Sequence, residues 1–89
     1  MKNKVLIKLI VPELNDTFDL FIPVNELIWK IKKLIIKSIS DLENIQLDIE
    51  EQYILLNKDD CRVYTNNEIV IDTNIRNGSE LILISRKWK

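Results

Sequence analysis

Residues Tyr53 to Ser85 read YILLNKDDCRVYTNNEIVIDTNIRNGSELILIS, and the order of apolar runs and turn residues within them decides the fold. Tyr53-Ile54-Leu55-Leu56 is a short apolar run suited to a strand. Asn57-Lys58-Asp59-Asp60 follows as its turn, and Cys61-Arg62-Val63-Tyr64 as a short edge strand. Asn66-Asn67 marks another turn. Leu81-Ile82-Leu83-Ile84 is apolar without a break, which fits a central strand flanked on both sides.

Toward the N-terminus, Lys4 to Val11 sets Val5, Ile7 and Leu9 against Lys4 and Lys8, the period-two pattern of a half-buried strand. Pro12 to Asp16 interrupts it. Thr17 to Ile22 alternates again, with Phe18, Leu20 and Ile22 on one side, so the two strands form a hairpin closed by Pro23. The period then becomes helical: Val24, Ile28, Ile31, Ile35 and Ile39 fall on one face, with Leu27, Leu34 and Ser38 beside them. Asn25 is the expected N-cap and Val24 the residue that staples onto Trp29. The helix is expected to end near Ser40-Asp41. Leu42 to Gln52 reads as an acidic loop anchored by Ile45, Leu47 and Ile49.

At 89 residues the chain is one domain, with 46% hydrophobic and 30% charged residues, a globular composition. Sixteen isoleucines and no alanine reflect coding bias more than chemistry. A net charge of −1 predicts no general attraction to nucleic acid or anionic lipid. Cys61 is the sole cysteine, so no intrachain disulfide can form and a reducing, cytoplasmic setting is expected. Lys8 and Pro12 break the first apolar run too early for a signal peptide, and no segment is long enough to span a bilayer.

Chemistry is sparse. Without histidine the chain lacks the commonest general base and metal ligand, and Cys61 has no base partner of that kind. One glycine, Gly78, cannot build a phosphate-cradling loop. The acidic residues match no calcium loop and read as a solvated face. Lys30, Lys32, Lys33 and Lys37 form a positive helix face read as solubilising. No catalytic residue, cofactor or metal is expected.

Three stretches carry a family resemblance: Phe18-Asp19-Leu20-Phe21-Ile22-Pro23 leading into the helix, Leu55-Leu56-Asn57-Lys58, and Asp72 through Gly78 to Ile84. Together they resemble the EsaB/YukD family, ubiquitin-like accessory proteins of the type VII secretion system of Gram-positive bacteria. The resemblance implies an α+β, ubiquitin-like β-grasp: a mixed four- to five-stranded sheet, first and last strands parallel at its centre, with one helix packed on one face. The domain would span residues 1–85, followed by a short basic tail, 86–89. Pattern alone makes Ile69-Val70-Ile71 a strand that hairpins through Asn77-Gly78; the resemblance replaces it with turns, Gly78 supplying a positive φ before the last strand.

A single helix covers one sheet face and leaves the other open. Strand phase places Leu6, Phe21, Leu55 and Ile82 there, with Ile10 and Ile84, as a candidate protein-contact patch. Trp29 and Ile36 on the helix flank are the second choice. The tail has no diglycine, so the resemblance implies non-covalent binding, by a cytoplasmic accessory or regulatory protein, to membrane-embedded secretion subunits. Alternatives are a homodimer through the same patch, an adaptor or self-associating module of another assembly, or a modifier or sulfur carrier.

Overall fold

The N-terminal hairpin forms where the alternation predicts it. In the computed structural model, which describes residues 3–45, 47 and 52–86, β1 (Lys4–Val11) and β2 (Asp16–Pro23) pair antiparallel, from Lys4 opposite Pro23 to Val11 opposite Asp16. Pro12–Leu14 makes one 3-10 turn, and Asn15 reverses the chain at φ 53°, a left-handed conformation that asparagine accepts more readily than most residues.

The helix α1 spans Ile28–Glu43, beginning and ending later than the periodicity predicts. Asn25 is not its cap. Leu27 holds that position without a side-chain bond, and backbone carbonyls from a distant segment serve the first amides instead. Ile28 N–H donates to the carbonyl of Glu68 at 2.8 Å and Trp29 N–H to that of Asn66 at 3.3 Å. Val70 N–H and Ile71 N–H return bonds to the carbonyls of Glu26 and Val24. Helix amides must find partners, and here tertiary structure supplies them. The last turn closes at Asn44, φ 53°, with Ile45 N–H donating to the Ser40 carbonyl.

β3 (Tyr53–Asn57) and β4 (Glu80–Ser85) complete a four-stranded mixed sheet of order β2-β1-β4-β3. β1 and β4 run parallel at the centre with Leu9 opposite Leu81, and β3 runs antiparallel to β4 with Leu55 opposite Leu83. Gly78 enters β4 at φ +87°, and a Cβ there would meet nothing within 4 Å, so its role is conformational, not spatial. The expected edge strand at Cys61–Tyr64 is reduced to a single bridge between Val63 and Leu56. Cys61 instead turns the chain at φ 60°, its N–H donating to the Asn57 carbonyl. Residues 69–71 are no hairpin strand: Val70–Asp72 is a 3-10 turn and Ile69 only bridges Leu27.

The core lies between helix and sheet. Ile28, Ile31, Ile35, Ile36 and Ile39 pack over Ile7, Leu9, Ile22, Leu55, Leu81 and Leu83, all buried, each contributing about 1.5–3 kcal/mol. Leu34, expected beside this stripe, is 47% exposed. Of the loop anchors, Leu47 packs on the core and Ile45 is 40% exposed; Ile49 and tail residues Lys87, Trp88 and Lys89 lie outside the described residues. One buried polar link ties β3 to the loop after it: Asn57 Nδ2 donates to the Tyr64 hydroxyl at 3.2 Å, which donates to Asn74 Oδ1.

Two outcomes follow from this scaffold. Tyr64→Phe leaves the buried Asn57 amide without its acceptor and lowers unfolding free energy by about 1–3 kcal/mol, read by urea denaturation. Glu68 is held below its ordinary pKa by the Thr65 N–H bond first, with Arg62 assisting against some desolvation. Its stabilising contribution is therefore full above about pH 4.5 and disappears as pH falls through the lowered value. Glu68→Gln is less stable than wild type at neutral pH, and the gap closes on acidification.

Candidate functional site

The face of the sheet turned away from α1 is built from alternate positions of four strands. From β2 through β1 the register sets Phe21 opposite Leu6, 65% and 39% exposed. One step along, Lys8 stands between Asp19 and Glu80, and the Lys58 ammonium reaches Glu80 Oε1 at 3.1 Å. One step further, Ile10 lies opposite Ile82, Ile82 opposite Leu56, and Leu56 bridges to Val63. Ile84 opposite Ile54 extends this apolar field. The face therefore carries two apolar areas divided by a row of alternating charge.

Four of the expected contact residues stand where strand phase puts them or near it. Leu6, Phe21 and Ile82 face outward, and Trp29 is 37% exposed on the helix flank. Leu55 does not: it is fully buried beneath α1, and Leu56 and Ile54 occupy the outer face of β3. Tyr53 to Leu56 are all apolar, so alternation is invisible there, and the inward phase is fixed by the buried Asn57 bonding to Tyr64. Ile36 is also buried, at 2% exposure. It lines a cavity of about 310 Å³ with Trp29, Tyr53 and Arg86, on the β3 side of the helix and away from the hairpin. Lys33 and Lys30 lie 5.1 and 5.5 Å from the centroid of the Trp29 ring, within cation–π range.

Cys61 is exposed, and among the described residues no cluster of three or more His, Cys, Asp or Glu side chains could hold a metal ion. Among the described residues no helix is long and apolar enough to cross a membrane.

No family model and no curated protein matches the sequence. Solved structures do match its shape. The ubiquitin of Caldiarchaeum subterraneum superposes with a TM-score of 0.67 at 15% identity, covering 96% of this chain and 96% of that one. The UBL domain of Plasmodium falciparum Dsk2 gives 0.68 at 13% identity, over 92% of this chain and 97% of that one. A chain of the MycP5-free ESX-5 inner membrane complex gives 0.73 at 12% identity, over 98% of this chain and 22% of that much longer one. The fold is a ubiquitin-like β-grasp.

The strand phase is directly testable. Leu55→Glu places a carboxylate in the core and abolishes the native circular-dichroism spectrum, since burying an unpaired charge costs several kcal/mol of a total stability of about 5–15 kcal/mol. Leu56→Glu, one residue on, retains it.

Proposed function

We propose that this chain is a non-enzymatic protein-interaction module that binds its partner non-covalently through the open sheet face, with Leu6 and Phe21 on one side of the charged row and Ile10, Ile82 and Leu56 on the other. The observation that carries this reading is the composition of that face. A sheet with one face in water ordinarily alternates apolar and polar residues, yet here four strands turn isoleucine, leucine and phenylalanine outward. Leu6 and Phe21 are exposed there, and Ile10, Ile82 and Leu56 are half-buried. Burying apolar area of this kind against a partner contributes a gross ~25 cal/mol per Å², part of which offsets the entropy lost on association, and the Asp19–Lys8–Glu80–Lys58 row sets register by charge complementarity.

The module serves as a cytoplasmic accessory component of a type VII secretion system, and its partner is a membrane-embedded subunit of that machinery. Two independent supports favour this assignment: the EsaB/YukD-like motifs before the helix and around Gly78, and a domain of the same shape in a chain of an ESX-5 inner membrane complex.

Mild cross-linking in the native cells, followed by purification of the tagged chain and mass spectrometry, captures secretion-membrane subunits if the assignment is right. Leu56→Glu combined with Ile82→Glu eliminates that capture while the variant stays folded. Capture of an unrelated complex overturns the pathway, and capture of the chain alone, with a dimer in solution that the double variant dissolves, assigns the face to self-association.

A further inference from the structure

We propose that the cavity between α1 and the β3 end of the sheet is a second binding site, which takes an acidic side chain of a peptide partner between Lys32 and Arg86 and that peptide's adjoining apolar residue against Trp29. The cavity is about 310 Å³ and is lined by Trp29, Lys32, Ile36, Tyr53, Asn66 and Arg86 among others, room for one or two side chains. This inference shares with the preceding one only that the ligand is a protein. The cavity opens on the helix layer, opposite the apolar sheet face, and is tested by different variants.

The position of Lys32 is the first support. At about 100° per residue it lies about 40° from both Ile28 and Ile36, inside the arc that the helix buries. A lysine in that arc is costly to desolvate, and its only hydrogen bond among the described residues is from Nζ to Asn66 Oδ1 at 2.9 Å. The three ion pairs among the described residues join Lys30 to Glu26, Lys58 to Glu80 and Arg62 to Glu68. Lys32, Lys33 and Arg86 take part in none of them. Desolvation lowers the proton affinity of Lys32, and the like charge of Arg86 lowers it further. Among the described residues two cations thus face one opening without a carboxylate between them, and a bound carboxylate offsets both penalties.

The chemistry of the rim selects a peptide over a phosphate. Phosphate sites are typically lined by backbone amides at a helix start or a glycine-rich loop. Here the first amides of α1 are engaged by the carbonyls of Glu68 and Asn66, and the only glycine sits at the entrance to β4. The anion is therefore held by side-chain cations alone, beside an indole wall and the aliphatic flank of Ile36, a lining that suits an acidic residue next to an apolar one.

The test uses the whole chain, labelled with ¹⁵N and titrated with a blocked hexapeptide, EDLEDL, against its uncharged counterpart QNLQNL and against inorganic phosphate. Expected are saturable shifts at the Trp29 indole N–H and at the amides of Gln52 and Arg86, given by EDLEDL only. Lys32→Met and Arg86→Gln each weaken binding about tenfold or more, the loss of one hydrogen bond to a charged group. Lys32→Met also keeps or raises the thermal midpoint, because it removes a partly desolvated cation that makes no ion pair among the described residues, whereas a merely structural lysine would lower it. Absence of saturable shifts at millimolar peptide, the same shifts from phosphate, shifts centred on Lys30 and Lys37, or binding unaltered in Arg86→Gln each overturns the proposal.

Discussion

The parallel contact between β1 and β4 is the constraint on which the remaining architecture depends. Its register, Leu9 opposite Leu81, is locked at one end by three bonds around the only glycine: Gly78 N–H to the Leu6 carbonyl, Lys8 N–H to the Ser79 carbonyl, and Leu6 N–H to the Asn77 side chain. A slip of β4 against β1 by one residue would exchange the two faces of β4. Leu81 and Leu83 would leave the core, and Glu80 would enter it. The outer strands take their phase from this pair, β2 through its pairing with β1 and β3 through its pairing with β4.

Much of this was legible in the residues, and the failures have physical causes. Alternation in β1 and β2 and the isoleucine repeat in α1 are periodic signals, and they located three elements and most of the core. The helix start is hidden from the sequence because its cap is not local: an asparagine stands where a cap would be, but carbonyls some forty residues downstream do its work. The phase of β3 is hidden because four consecutive apolar residues carry no alternation. Periodicity puts Ile36 on the flank, but the buried arc is wider on one side than a symmetric stripe and curves toward the cavity. The same asymmetry contained a usable clue, since it places Lys32 among isoleucines, and a lysine in that position calls for a reason.

The open sheet face and the cavity draw on different physics. The open face offers area, with affinity coming from water released by apolar side chains and orientation from one row of charges. The cavity offers a few placed cations in a partly dry setting, where a charged hydrogen bond is stronger than at the surface but the ungratified state is correspondingly costly. They lie on opposite layers of a thin domain, one helix and one sheet apart, so a partner long enough to pass round the β3 edge could engage both. In that arrangement the effective concentration of the second contact rises once the first is made.

The position of β4 in the chain also has a bearing on how the molecule comes into being. Leu6 and Asn77 meet across 71 positions, so the middle of the sheet cannot close until β4 has left the ribosome. Until then the hairpin presents the whole inner edge of β1, with its unpaired amides and the isoleucines of α1 uncovered nearby. Closure of so long a loop is slow, and an open strand edge is the feature through which nascent chains misassociate. For this protein the hazardous interval of synthesis is therefore the one before β4 emerges, until a handful of residues convert an adhesive intermediate into a finished domain.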